Sequence, residues 1–350
     1  MLNKFKIEKN IISNDSNCYL IAEIGSNHNR SKKTVKKLID ASATAGFDAV
    51  KFQIYDPEEA FSKNETTKDV KLNHLYGNKP WWEIARDKIL MPRGWFEEMF
   101  SYVRKKKMTP LSAIHNEKDC NFLIKFGLPA IKLASIDLNF RQLHESLIKF
   151  NLPFIISTGM ASTKEITDTV NFFIKKKANI CLLHCNSCYP PRPEEMNLNN
   201  IINFKKKYNF PIGLSDHAEN NFASFAAVTM GAKIIEKHIT LDKKYPGPDH
   251  AFAIEPDEMI DFVKGVRFIE KALGNHDRKL SKREENNKKM IRRSLVARKN
   301  LLKGSYISKD TIKFARPGKG IPTDQANIFY KKKLKKNIKA ETVLKKNHFE

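Results

Sequence analysis

The stretch Tyr19-Leu20-Ile21-Ala22-Glu23-Ile24-Gly25-Ser26-Asn27-His28 begins as an apolar run and closes on a carboxylate, an amide and an imidazole. The run Tyr19–Ile24 reads as a strand. The residues after it, Val35, Leu38, Ile39 and Ala43, recur at helical spacing, and a second run, Ala49–Gln53, follows. The same alternation continues outward. Strand-like runs at Met108–Ile114, Ala130–Ser135, Phe154–Ser157, Ile180–Cys185, Ile212–Ser215 and Lys233–Lys237 are separated by amphipathic segments such as Phe96, Met99, Phe100 and Val103. Eight strand and helix units over about 250 residues predict parallel strands with crossover helices, closed into a (β/α)₈ TIM barrel. A doubly wound open sheet is the runner-up, but no Gly-x-Gly-x-x-Gly turn supports it.

A barrel of this kind places its chemistry at the C-terminal ends of the strands. Those ends are polar almost without exception: Glu23, Lys51 and Gln53, Lys132 to Asp137, Ser157-Thr158-Gly159-Met160, His184 to Pro190, Ser215-Asp216-His217 and Glu236-Lys237-His238. Six of the ten histidines (28, 115, 184, 217, 238 and 250) follow or finish a strand. Packing alone accounts for one such residue, not for a polar terminus on nearly every strand.

The chain has 350 residues, about twice a usual domain of roughly 150, which predicts a barrel over residues 1–274 and something smaller after it. Residues 275–292 are polar and charged and read as a linker. Residues 293–350, with Gly304-Ser305-Tyr306-Ile307 and Arg316-Pro317-Gly318-Lys319-Gly320, read as a small, mostly β module. A hydrophobic content of 41% excludes wholesale disorder. No run reaches the roughly 18–20 apolar residues of a membrane span, and the N-terminus lacks a signal-peptide h-region. Five cysteines suit a reducing compartment better than a disulfide scaffold, so a cytoplasmic protein is expected. Lys and Arg number 63 against 39 acidic residues, a net charge of +24. Lysine runs such as Lys105-Lys106-Lys107 and Lys205-Lys206-Lys207 carry no aromatic or zinc signature of nucleic-acid recognition. A small anionic substrate, steered inward by the basic field, is the better expectation.

Taken together, these signatures resemble the sialic acid synthase family, the nonulosonic acid synthases, from about residue 19 to the end. The resemblance rests on Ala22-Glu23-Ile24-Gly25-x-Asn27-His28, Lys51-x-Gln53, Ile156-Ser157-Thr158-Gly159-Met160, Leu183-His184-Cys185 with Tyr189-Pro190, and Gly213-Leu214-Ser215-Asp216-His217. It extends through Glu236-Lys237-His238 and Pro246-Gly247-Pro248-Asp249. Arg316-Pro317-Gly318-x-Gly320 looks like that family's antifreeze-like (SAF, β-clip) domain. The resemblance implies condensation of phosphoenolpyruvate with an N-acylated amino-hexose of the N-acetylmannosamine type, giving a nine-carbon acid and phosphate. Legionaminic or pseudaminic acid synthesis is the alternative product. It also implies a divalent metal, Mn²⁺ foremost with Mg²⁺ or Co²⁺ as alternatives, and a domain-swapped homodimer with no nucleic-acid or membrane partner.

On this resemblance, Lys51, Lys132, Ser135, Ser157, Ser187 and Ser215 bind the phosphate and carboxylate of phosphoenolpyruvate, as cations and hydroxyl donors suit a trianion. His217 and His238 hold the metal; they end adjacent strands about 5 Å apart and so reach one ion. Glu23 helps to activate the water that attacks C2, the alternative being an ion pair to a barrel lysine. Gln53, Asp137, Tyr189 and Asp249 contact the sugar, and Arg316 reaches the sugar from a partner subunit. Three positions depart from the family's pattern. Ala113 stands where relatives carry a phosphate-contacting threonine, with Ser112 or His115 as possible substitutes; Asp137 replaces a glutamate; Ser187 replaces an amide. A non-catalytic basic binding protein on a barrel scaffold is the rival from another class. A further rival, an iron–sulfur site at Cys181-x₃-Cys185-x₂-Cys188, fails on geometry: Cys181 and Cys185 would sit about 13 Å apart on one strand.

Overall fold

The barrel reading is correct in class and in strand count. The computed structural model describes residues 4–274 and 277–350. It divides into two units, Met1–Gly274 and Asn275–Glu350. The first unit opens with a hairpin, β1 (Lys4–Ile7) and β2 (Asn10–Ser13). Eight parallel strands follow: β3 (Tyr19–Glu23), β4 (Ala49–Ile54), β5 (Thr109–Ile114), β6 (Ile131–Leu133), β7 (Phe154–Ser157), β8 (Ile180–Cys185), β9 (Ile212–Asp216) and β10 (Ile234–His238). They close in the order β10-β3-β4-β5-β6-β7-β8-β9.

Strand parity sorts the side chains into two sets. One set, including Leu20, Val50, Phe52, Leu182 and Ile235, points outward and packs with helix residues such as Val35, Leu38, Phe96 and Phe100. The helix Lys32–Ala45 shows why these segments fold where they do. Ser31 caps it by accepting from Thr34 N, Gly46 ends it at φ +94°, and Val35, Leu38 and Ile39 form its buried stripe.

The other set points inward. Tyr19, Ile21, Ala49, Leu111, Ala130, Ile155, Cys181, Leu183 and Ile234 form an apolar cluster with Phe5, Ile7 and Ile12 of the hairpin. The hairpin therefore seals the N-terminal end of the barrel, an element absent from the sequence reading. Gly213 has no room for a side chain in this interior: a Cβ would lie 2.3 Å from the Ile234 carbonyl oxygen. Two residues further along six of the eight strands, the same parity turns Glu23, Lys51, Lys132, Ser157, Ser215 and Glu236 inward, all buried. Register keeps them adjacent: Glu23 pairs with Lys51 and His238, and Ser215 with Glu236.

In the second unit β11 (Ser294–Ala297) pairs antiparallel with β12 (Ile312–Ala315) around Leu295, Leu301, Ile312, Phe329, Leu334 and Phe349. The remaining pairing is by single bridges such as Leu301 with Ile338, so turns and short helices outweigh regular strand. The expected linker, 275–292, is not irregular throughout. Lys282–Ile291 is a helix, with Ser281 and Glu284 in a reciprocal capping box; residues 275 and 276 lie outside the described ones. The Arg316–Gly320 loop is pinned as well. Ser294 Oγ donates to the Pro317 carbonyl at 2.8 Å and accepts from Gly320 N at 3.0 Å. A Cβ on Gly318 would meet the Lys288 carbonyl at 2.6 Å.

Candidate active site

The inward polar layer lines a cavity of about 260 Å³ at the C-terminal end of the barrel, which opens into a second of about 530 Å³. Two lysines meet at its floor. Lys132 Nζ donates to Ser157 Oγ at 2.8 Å and lies 3.5 Å from Glu236 Oε1; Lys51 Nζ lies 3.5 Å from the same oxygen. Ser215 Oγ donates to that oxygen at 3.1 Å. Lys51 also sits 2.9 Å from Glu23 Oε2, while Gln53 Nε2 donates to Glu23 Oε1 at 2.8 Å. The ion pair between Glu23 and a barrel lysine thus exists within the site, rather than as an alternative to it.

Electrostatics separates the two carboxylates. Burial, only partly offset by Lys51, raises the Glu23 pKa above the ordinary carboxylate range. Burial acts on Glu236 in the same direction, but Lys132 and Lys51 together outweigh it and hold that carboxyl low. The Lys132 pKa is lowered by burial, against the attraction of Glu236. Lys51 feels the same burial, yet Glu23 and Glu236 keep its pKa raised.

His217 and His238 stand with ring centroids 5.3 Å apart, walled by Phe252 and by Tyr189, whose ring lies 4.3 Å from that of His217. His217 Nδ1 is bonded to the Asn186 carbonyl at 2.8 Å, which leaves Nε2 with its lone pair. Burial holds the His238 pKa well below its ordinary value, so its ring is neutral, and its buried Nδ1 has no hydrogen-bond partner. The neutral His238 ring with its orphaned nitrogen, beside the His217 ring, fits a divalent ion with open positions. Among the described residues no group of three or more potential ligands assembles, so the two histidines would be the whole protein set.

Glycine shapes the approaches. A Cβ on Gly159 would fall 2.1 Å from Ser187 Oγ and 2.8 Å from Ser135 Oγ, and Gly159 N donates to Ser135 at 2.9 Å. Ser187 Oγ itself is buried without a partner. Beyond the histidines, Asp249 accepts from Ser26 Oγ at 3.0 Å and stands 3.9 Å from His238 Nδ1. Asn27 Nδ2 latches the neighbouring loop to the Ile239 carbonyl at 2.9 Å.

Residues 38–278 match the NeuB family. The chain belongs to the NeuB family. Residues 292–350 of this NeuB protein match the SAF domain. It is 33% identical over 329 residues to the N,N'-diacetyllegionaminic acid synthase of Campylobacter jejuni, spanning 93% of this chain and 98% of that one. It is 31% identical over 333 residues to the N-acetylneuraminate-9-phosphate synthase of Mus musculus, spanning 94% and 92%. Among solved structures, the N-acetylneuraminic acid (sialic acid) synthetase of Leptospira borgpetersenii superposes with a TM-score of 0.72 at 31% identity, over 82% of this chain and 95% of that one.

In this NeuB protein the cavities gather the residues singled out from sequence. Lys51, Gln53, Lys132, Ser135, Ser157, Tyr189, Ser215, His217, His238 and Asp249 line the inner one, over the buried Glu23; Asp137 and Ser187 line the outer one. Arg316 is exposed in the second unit. The expected substitutes for the missing threonine fail. Ser112 has the outward parity, and its Oγ donates to the Ala113 carbonyl. His115 is committed to Asp137, Nδ1 to Oδ2 at 2.6 Å. Sequence reasoning missed Glu236, the hub of both lysines, although it stood inside a quoted motif. Lys237 of that motif points outward, pairs with Asp216 at 2.9 Å and donates to the Asn220 carbonyl, fixing the loop that carries His217.

Proposed function

We propose that this NeuB protein condenses phosphoenolpyruvate with the open-chain aldehyde of an N-acylated amino-hexose, releasing phosphate and forming a nine-carbon α-keto acid. The observation that carries the reading is the convergence of two buried lysines and several hydroxyls on one small cavity, beside two imidazoles and a buried carboxylate. A trianion finds charge-assisted donors there, preorganised and shielded from water. Lys51, Lys132, Ser157 and Ser215 form its floor and Ser135 its side, with Ser187 adding a hydroxyl from the adjoining outer cavity. A divalent ion on His217 and His238, Mn²⁺ foremost with Mg²⁺ or Co²⁺ as alternatives, would supply Lewis-acid polarisation of the aldehyde.

The enol carbon C3 attacks the aldehyde carbon, whose oxygen takes up a proton to become a hydroxyl, and water then adds at C2, losing a proton. Glu23, raised in pKa by burial and held by Lys51 and Gln53, is placed to take that proton. Phosphate leaves from C2, and the carbonyl forms there. Tyr189 and Asp249 contact the sugar. The homodimer, with Arg316 serving the sugar of its partner subunit, and the cytoplasmic setting that five free thiols suit, belong to the same proposal. No helix among the described residues is long and apolar enough to cross a membrane.

The N-acetylmannosamine, legionaminic and pseudaminic precursors all remain within this substrate class, with the first as the lead expectation. The test is inorganic phosphate release from phosphoenolpyruvate with Mn²⁺ and each hexose in turn, with the product mass measured. No hexose-dependent release would refute the function and favour a non-catalytic binding protein.

A further inference from the structure

Residues 55–90, which follow β4, fold over the mouth of the barrel around an apolar cluster of their own. Trp81, Ile84, Ala85 and Ile89 pack there with Phe61 and Leu72, apart from the main barrel core. The segment ends in a helical stretch: an α turn, Trp81–Ile84, runs into a π-helical one, Ala85–Ile89. Trp81 and Ile89 line the inner cavity together with the strand-end residues of its floor, so this stretch is its roof.

The roof has few polar ties to the rest of the barrel. Among the described residues, two side chains from outside residues 55–90 hydrogen-bond to it, those of Lys118 and Arg30. Lys118 Nζ donates to Glu59 Oε1 at 2.8 Å, but both groups are largely exposed, where such a pair holds little. Arg30 reaches the roof itself. Its Nη1 donates to the carbonyl of Arg86 and, at 3.2 Å, to that of Leu90. Pro92 stops the helical stretch, so its last carbonyls find no amide donors further along the chain, and the guanidinium supplies them.

The turn that carries Arg30 is strained. Asn29 and Arg30 are consecutive non-glycine residues at positive φ, +46° and +50°. L-residues avoid this region, and such a turn persists where the surrounding contacts impose it. Both side chains are engaged. The Asn29 amide is bonded to His250 Nε2 at 3.1 Å, in the loop that holds Asp249. Arg30 N donates to His28 Nδ1 at 2.9 Å, which aims its side chain at the roof.

We propose that Arg30 is a positioning residue that latches residues 81–90 over the inner cavity and so encloses bound phosphoenolpyruvate. Arg30 lines neither cavity and acts through Trp81 and Ile89. Enclosure excludes water, which strengthens each contact between the lysines and the anion. The role toward phosphoenolpyruvate rests on the condensation proposed above; the latch does not.

The test uses the full-length protein with Mn²⁺. Arg30→Ala and Arg30→Gly both remove the guanidinium, but glycine also relieves the positive φ, so Arg30→Gly should melt about 2–4 °C above Arg30→Ala. In both variants, amide hydrogen exchange across residues 81–90 should be at least about 10-fold faster than in wild type, with the barrel strands unchanged. Two of the three tryptophans, Trp81 and Trp82, lie in the roof, so their fluorescence can follow phosphoenolpyruvate. The ligand should dissociate about 10-fold faster from both variants, and Arg30→Lys, which keeps donors for the carbonyls, should recover most of that loss. Losses that instead follow Tm, smaller in Arg30→Gly than in Arg30→Ala, would overturn the positioning role. Unchanged exchange in both variants would overturn the latch. Faster exchange with an unchanged dissociation rate would overturn the enclosure. A wild type that binds no phosphoenolpyruvate would overturn the condensation and the enclosure together, whatever exchange says of the latch.

Discussion

Replacing Glu236 by glutamine keeps the shape of the floor and removes the charge between two buried ammoniums. Its Oε1 lies 3.5 Å from both Lys51 and Lys132, and all three side chains are at most 4% exposed. At an effective dielectric of about 20, each contact is worth about 5 kcal/mol of attraction, most of it offset by the cost of burying the ions. Breaking such a buried arrangement from one side costs about 3–5 kcal/mol. The lower end applies here, because Lys51 keeps Glu23 at 2.9 Å. A loss of about 3 kcal/mol lowers the Tm of a unit this large by roughly 6–12 °C. Phosphoenolpyruvate brings its own negative charge to the same lysines. The variant should therefore gain more from saturating ligand than wild type, which gains about 2.7 kcal/mol at 100 times Kd. Scanning calorimetry at neutral pH, with and without phosphoenolpyruvate, reads both effects. The acid limb gives a third. Burial opposes ionisation of Glu236, but Lys132 and Lys51 bring its carboxyl from 4.5 down to about 2. A depressed carboxyl contributes stability that is full above its unfolded value and is lost as pH falls through the folded one. Wild type should lose this part of its stability between about pH 4.5 and 2, and Glu236→Gln should lack that slope. A Tm within about 1 °C of wild type, or equal ligand-induced rises in the two proteins, would refute the reasoning.

Lys51→Met and Lys132→Met should each weaken phosphoenolpyruvate binding by about 1.5–3 kcal/mol, roughly 10- to 150-fold by calorimetry; unchanged affinity in both would remove them from the anion site. Chelation should abolish turnover and Mn²⁺ restore it, while His217→Ala and His238→Ala should lose most activity at any metal concentration; full activity in chelator counts against the histidine pair. Mixing Arg316→Ala with Glu23→Ala protein should restore part of the activity lost in each, since a mixed dimer holds one intact site. Deletion of residues 280–350 should leave phosphoenolpyruvate binding in place and remove turnover, whereas a monomer, or a truncated barrel with normal turnover, would show that the second unit has no catalytic part.

Much of this was written along the chain. Apolar runs alternating with helical stripes determine eight parallel strands, and the polar residues at their ends determine which mouth of the barrel carries chemistry. Both are local signals, set by the two-residue period of a strand and the 3.6-residue period of a helix. The helix at Lys282–Ile291 also had a local signal, the Ser281–Glu284 capping box, but it lacks an apolar stripe and so resembles a linker in composition. What waited for the tertiary structure was everything set by neighbours from distant strands. Closure and register bring Glu236 of β10 between Lys51 of β4 and Lys132 of β6. Nothing in Glu236-Lys237-His238 distinguishes the carboxylate that faces inward from the lysine that faces out to pair with Asp216. Parity decided likewise that Ser112 cannot replace the hydroxyl missing at Ala113, and loop packing decided that His115 serves Asp137. Sequence periodicity assigns a residue to a face; only the closed barrel determines which charges share that face, because their pairing depends on distances across strands far apart in the chain.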